Sequence, residues 1–204
     1  DPSTLTALIA TRELAKVPGS TIIHNLITSR AVPEIVIENG GTAVRTRVGH
    51  SFIKATMAET GAIFGGEHSG HFYFKEFWRA DSGALAALHA IAALGESDTT
   101  MSALLAPYNR YVISGEINSK VADTKAATEL VEKSYSSGQV TLDHLDGLTV
   151  NGDTWWFNLR PSNTEPVLRL NVEASTQAQM ETVRDAVLSL FRGELPFSIR
   201  ELSV

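Results

Sequence analysis

Cysteine is absent from the 204-residue sequence. That excludes a disulfide framework and any thiolate zinc site, and it fits a cytoplasmic protein. Positive charge is in deficit, since 17 Lys and Arg against 23 Asp and Glu give a formal net charge of −6. Without an overall basic surface to neutralise a phosphate backbone, nucleic acid is not an expected partner, although positive charge can still gather locally. No apolar run reaches the roughly 20 residues that cross a bilayer, and no signal-peptide pattern opens the chain, so no membrane partner is expected. Methionine first occurs at Met57, which leads to the expectation that the sequence is a fragment of something longer. What is present is an ordinary globular composition, 43% hydrophobic and 20% charged, enough for one large domain or two small ones.

Periodicity along the chain favours two. Residues 3–16 have apolar positions at helical spacing and a Ser or Thr available as cap. Residues 20–25 read as a buried strand. A helix follows, with Ser29 near its start, Pro33 in its first turn and Gly40-Gly41 closing it. Residues 42–46 form a second strand, 51–60 a helix capped by Ser51 and stopped by Gly61, and 62–66 a third strand. Residues 72–74 alternate as a further strand, and 81–94 make an apolar helix with Asp81 as cap. Helices alternating with strands at these lengths imply α/β architecture. The expected fold is a three-layer α/β domain with a mixed, largely parallel sheet over residues 1–108. A smaller α+β domain with helices packed on a mixed sheet should occupy 109–204. The second domain should contain a long strand over 111–120, a helix over 124–135 and a strand over 140–142. A hairpin in 148–159 should follow, with Asn151-Gly152 supplying positive-φ turn residues, then a strand over 167–174 and a final helix over 176–191.

Three stretches concentrate chemistry. "FGGEHSGHFYF" (64–74) places Glu67, His68, Ser69 and His71 within five positions between glycines. A zinc site from Glu67, His68 and His71 needs two histidines one helical turn apart on one face, which Ser69-Gly70 disfavours, so no metal ligand is assigned. A nucleophile elbow fails on spacing, because Gly66 lies three residues before Ser69 and Gly70 directly after it. A carboxylate with hydroxyl and imidazole neighbours suits a polyol, and glycines let backbone approach a ligand. A solvated strand-to-strand turn explains the same residues equally well. "NLRPSNTEPVLRL" (158–170) offers Arg160, Ser162, Asn163 and Thr164 in one loop, with Arg169 on the adjoining strand. So many convergent donors favour a phosphate over a turn that pairs Arg160 with Glu165. In "RTRVGHS" (45–51), Arg45 and Arg47 alternate toward one side, and Gly49-His50-Ser51 opens a helix, an end that favours anions. His24, His89 and His144 belong to no cluster.

In this order, "VGHSFIK", "GGEHSGHFYF" and "RPSNTEPVLRL" resemble the α-D-phosphohexomutases, specifically the bacterial phosphomannomutase/phosphoglucomutase group. The resemblance covers the whole chain as the family's third and fourth domains. It implies that Glu67 and Ser69 grip hydroxyls of the hexose ring. It places His50 and His71 near the substrate for proton transfer or phosphate contact, with Arg47 and Gly49 as further contacts. Arg160, Ser162, Asn163, Thr164 and Arg169 would hold the non-reacting phosphate. A phosphoserine would pass its phosphoryl group to the sugar through a hexose 1,6-bisphosphate, with Mg2+ neutralising charge. The partners implied are a hexose phosphate and the missing N-terminal half of the same protein. Two departures stand out. The family's Ser-His-Asn-Pro and Asp-Gly-Asp-x-Asp-Arg loops do not occur in the sequence, so the chain alone should be inactive. Ile27 stands where many relatives carry lysine. The competing expectation is a stand-alone sugar-phosphate binding module.

Overall fold

Ile22 and Ile23 are neighbours on the first strand and both are fully buried, yet they lie in different cores. Successive strand side chains point to opposite faces, so their sheet must be covered on both. The computed structural model describes residues 1–162 and 165–192, and contacts divide the chain between Arg110 and Tyr111. In the first unit the order is α1 (Pro2–Lys16), β1 (Thr21–Asn25), α2 (Ala31–Glu38), β2 (Thr42–Thr46), α3 (His50–Thr60), β3 (Phe64–Gly66), β4 (Phe72–Phe74), β5 (Ala80–Asp81), α4 (Gly83–Gly95) and α5 (Met101–Leu105). Strand order is β2-β1-β3-β4-β5. The sheet is parallel across β2-β1-β3 and antiparallel across β3-β4-β5.

Ile22 packs with Ile9 and Leu14 of α1, Val36 of α2 and Ala86 of α4, joined by Phe64, Phe72 and Phe74. Ile23 packs on the other side with Ile53 and Met57 of α3 and with Tyr73. The alternation Phe72-Tyr73-Phe74 thus sends two rings to one layer and Tyr73 toward α3. Three layers result, as the hydrophobic periodicity implied. No described helix is long and apolar enough to cross a membrane.

Several local expectations are corrected. Asp1, not a Ser or Thr, caps α1 by accepting from the Ser3 amide at 3.2 Å, with proline in the first turn. The helix α3 begins at His50, and its cap is Gly49 at φ 131°, a backbone conformation open to glycine, so Ser51 lies inside the helix. Ser82 caps α4, which leaves the Asp81 carboxylate for another use. Trp78 and Arg79, both at positive φ (54° and 53°), turn the chain between β4 and β5.

The second unit contains β6 (Val112–Ile113), β7 (Ile117–Lys120), α6 (Thr124–Tyr135), β8 (Thr141–Asp143), β9 (Leu148–Asn151), β10 (Trp155–Pro161), β11 (Val167–Ala174) and α7 (Gln177–Arg192). All its pairings are antiparallel. Two pieces replace the expected strand over 111–120, because Gly115 at φ 68° breaks the extended backbone. Asn151-Gly152 does not form a two-residue positive-φ turn. Neither residue has positive φ, and the Gly152 amide bonds instead to the Trp155 carbonyl across a longer loop. Glycine is still required there, since a Cβ would run into the Trp155 ring. Val131, Phe157, Leu159, Leu168, Leu170, Val183 and Val187 form one core that joins both helices to a single face of the sheet.

Candidate functional site

In open sheets with parallel strands, ligands bind beyond the carboxyl ends of those strands. In the first unit these ends are Asn25 of β1, Thr46 of β2 and Gly66 of β3. The segment 67–71 joins β3 to β4 there, held by the Glu67 amide on the His71 carbonyl (2.9 Å) and the Gly70 amide on the Glu67 carbonyl (3.0 Å).

The Glu67 side chain turns inward and is only 1% exposed. Its Oε1 accepts from the Tyr73 hydroxyl at 2.6 Å, and its Oε2 accepts from Asn25 Nδ2 at 3.1 Å and the Gly49 amide at 3.2 Å. That amide belongs to the positive end of the α3 dipole, so the anion expected at this helix start is a side chain of the protein itself. A buried carboxylate is tolerable when donors surround it in this way. Of its roughly four lone-pair positions, three are filled.

Tyr73 extends the network. Its single proton goes to Glu67, so the contact with His50 Nδ1 at 2.6 Å requires that ring nitrogen to donate. The Nε2 of His50 is then the acceptor. Burial and the Glu67 carboxylate both raise the Tyr73 pKa, which keeps the hydroxyl protonated. His71 is fixed similarly, with Nδ1 2.6 Å from Asp81 Oδ2, which leaves its Nε2 as acceptor. The other Asp81 oxygen accepts from the Phe72 amide at 2.9 Å. Burial opposes ionisation of Asp81, but the Phe72 amide and His71 outweigh it and hold the carboxyl below its usual range. The two imidazoles stand 4.4 Å apart, centroid to centroid.

The remaining residues named from the sequence in this unit are dispersed. Ser69 is exposed at the tip of the connection. Arg47 lies 4.9 Å above the Phe52 ring. His68 contacts the Ser3 hydroxyl through Nδ1 at 3.2 Å. Ile27 is buried and offers no basic group. The combination Glu67, His68 and His71 is not the donor set that forms, since each is bonded elsewhere. Among the described residues, the set within reach of a common ion is His50, His71 and Asp81, whose donor atoms lie within 4.8 Å of one another. Sequence reasoning missed Asn25, Tyr73 and Asp81. A polar residue ending an otherwise apolar strand was the signal for Asn25. The other two depend on pairing across β4 and β5, which spacing alone does not reveal.

In the second unit, Arg160 of β10 and Arg169 of β11 are direct cross-strand partners. Like charges so placed repel unless an anion is shared. Glu116, immediately before β7, fills that role at 3.5 Å from Arg160 and 3.2 Å from Arg169. Arg169 also donates to the Ser162 hydroxyl at 3.2 Å, and Glu165 lies 4.0 Å from it. Arg160 is 7% exposed. It shares its sheet face with Trp156 and Asn158, opposite the core face of Trp155, Phe157 and Leu159. Asn163 and Thr164 lie outside the described residues.

Comparison with known proteins agrees with both units. Residues 1–111 match the model for phosphoglucomutase/phosphomannomutase, alpha/beta/alpha domain III, and residues 116–190 match that for the phosphoglucomutase/phosphomannomutase C-terminal domain. The chain is 41% identical over 186 residues to a phosphomannomutase of Methanocaldococcus jannaschii, covering 91% of the chain and 41% of that relative. It is 38% identical over 185 residues to a phosphomannomutase of Escherichia coli K12, covering 90% of the chain and 41% of the relative. Among solved structures, a phosphoglucomutase/phosphomannomutase family protein from Burkholderia thailandensis superposes with TM-score 0.80 at 28% identity. That match covers 96% of this chain and 43% of the other. The chain thus spans about two fifths of the length of these relatives. It belongs to the phosphoglucomutase/phosphomannomutase family, of which it carries domain III and the C-terminal domain.

Proposed function

We propose that the chain is the sugar-recognising and phosphate-holding part of an enzyme that interconverts hexose 1-phosphate and hexose 6-phosphate, with mannose or glucose as the sugar. The observation that carries this reading is the facing pair Arg160 and Arg169, gathered around one carboxylate. Two guanidinium groups converging on one anion match a phosphate dianion in charge and donor geometry. Ser162 adds a hydroxyl beside them, and Asn163 and Thr164 are assigned to the same loop from the sequence.

In the first unit, the unfilled acceptor position of the buried Glu67 carboxylate and the exposed Ser69 hydroxyl are assigned to ring hydroxyls. His71, backed by Asp81, can take a proton at Nε2 from a sugar hydroxyl as that oxygen attacks phosphorus, while the carboxylate stabilises the imidazolium. His50 has the same capacity, backed by Tyr73. Arg47 and Gly49 are assigned to substrate contact, Gly49 indirectly through the Glu67 carboxylate that its amide holds.

A phosphoserine donor and a magnesium loop are assigned to the region of the relatives that this sequence does not span. Magnesium requires near-octahedral oxygen ligands. The donor set gathered among the described residues carries two imidazole nitrogens, so it does not suit that ion, and no magnesium-dependent step is assigned to it.

Calorimetric and NMR titration of the chain with mannose 1-phosphate and glucose 1-phosphate tests the reading. Saturable 1:1 binding that weakens in Arg169→Gln is expected, with no isomerisation by the chain alone. Micromolar affinity without the rest of the protein would favour a stand-alone binding module, and measurable turnover would overturn the assignment of the donor elsewhere.

A further inference from the structure

We propose that His50, His71 and Asp81 form a binding site for a borderline transition-metal dication, for which Zn2+ is the fitting probe. Three donors, each from a different element, converge here: His50 opens α3, His71 leads into β4, and Asp81 ends β5. Their ligand atoms already lie within 4.8 Å of one another. Zinc held at about 2.0–2.1 Å by tetrahedral ligands places those ligands roughly 3.4 Å apart, so closure needs about an ångström of side-chain movement. His50 and Asp81 are exposed and His71 is half-buried, so their torsions can supply it.

The chemistry of the donors selects the ion. Two imidazoles and one carboxylate are a zinc-type set, and they leave a fourth position for water or another ligand. Ordered partners behind the donors strengthen the case. A metal-binding histidine usually donates its other ring nitrogen to an acceptor that fixes its tautomer. His50 has this arrangement: Nδ1 donates to Tyr73, whose hydroxyl is anchored on the buried Glu67, and Nε2 is left as the lone-pair donor. The Phe72 amide likewise holds Asp81 through Oδ1. His71 Nδ1 and Asp81 already meet at 2.6 Å, and an ion entering between them takes the Nδ1 lone pair while the ring proton passes through solvent to Nε2, so the imidazole stays neutral.

The site stands on this geometry and does not depend on hexose phosphate being the substrate. If the functional reading above also holds, an ion here occupies both imidazoles assigned to proton transfer, and zinc would act as an inhibitor.

The test is titration of the full chain with ZnCl2 in a non-chelating buffer, by calorimetry and by equilibrium dialysis with elemental analysis. One Zn2+ per chain with Kd at or below roughly 10 µM is expected. His50→Gln, His71→Gln and Asp81→Asn should each weaken binding at least about tenfold, while His144→Gln and His68→Gln should not change it. Should a triad variant misfold by circular dichroism, the wild-type protein still decides the matter. Zinc must then shift the imidazole 15N resonances of His50 and His71 and leave those of His144 in place. Absence of saturable binding below about 1 mM, or affinity unchanged in His50→Gln and Asp81→Asn, overturns the proposal. Hexose phosphate titrations in EDTA-treated buffer report on the substrate reading separately, so either can fail alone.

Discussion

The Tyr73 hydroxyl donates to the Glu67 carboxylate over 2.6 Å, and this bond lies at the meeting point of the α3-side core and the candidate site. Removing it in Tyr73→Phe leaves a buried carboxylate oxygen without that donor and releases the His50 tautomer. The expected loss of stability is about 1–3 kcal/mol, the usual cost of stranding a buried polar group. Urea denaturation of the variant and the parent measures it. An unchanged midpoint would mean that Glu67 is satisfied from elsewhere.

His24 supplies a pH dependence of folding. It is buried on β1, and burial, helped by Arg45, lowers its pKa from 6.5 to about 4 even though the Asn25 carbonyl favours the charged form. The unfolded chain therefore binds a proton near pH 6.5 that the folded chain refuses until about pH 4. Stability contributed by the neutral ring is fully present above pH 6.5 and is lost progressively as pH falls between those values, by about 3 kcal/mol in total. Chemical denaturation across pH 4–7 in the parent and in His24→Asn should show the slope flattened in the variant. Equal slopes would remove His24 as the cause.

Glu116 occupies the position where a phosphate is assigned. Replacing it by glutamine keeps the shape but removes the competing negative charge beside Arg160 and Arg169. Affinity for inorganic phosphate should rise by about threefold or more at low salt, with the gain shrinking as salt screens the site. Weaker binding in Glu116→Gln would show that the carboxylate serves to position the arginines.

Asn25 is the other side chain, besides Tyr73, that anchors Glu67. It donates to Oε2 at 3.1 Å while its own Oδ1 accepts from the Thr28 hydroxyl at 2.7 Å. Asn25→Asp places a second carboxylate against Glu67 and turns a donor into an acceptor. Destabilisation beyond about 2 kcal/mol is expected in a thermal or urea melt at neutral pH, larger than for Asn25→Ala. The reverse order would contradict the hydrogen-bond assignment.

The legible and illegible parts of the sequence divide on physical grounds. Ile22-Ile23 and Phe72-Tyr73-Phe74 report layering because strand alternation is local, and the helices of both units follow from apolar spacing. Caps were harder, since several side chains near each helix start can accept the same amides: Ser82 took the role expected of Asp81, and Gly49 that of Ser51. Of the site, Glu67, His50 and His71 stood out by composition. Their partners Tyr73 and Asp81 emerge only once β3, β4 and β5 are paired. Glu116 lies 44 residues before Arg160 in sequence, and antiparallel pairing of β11 with both β7 and β10 brings them together.

The most direct test of the proposed role is an NMR-monitored titration of the chain with glucose 1-phosphate, run in parallel on Arg169→Gln and Glu67→Gln. Weak but saturable binding is expected, with Kd on the order of millimolar, weakened about tenfold or more in each variant. Shifts should fall at 67–71 and at 160–169. Absence of saturable binding, or binding in both variants as strong as in the parent chain, would contradict it.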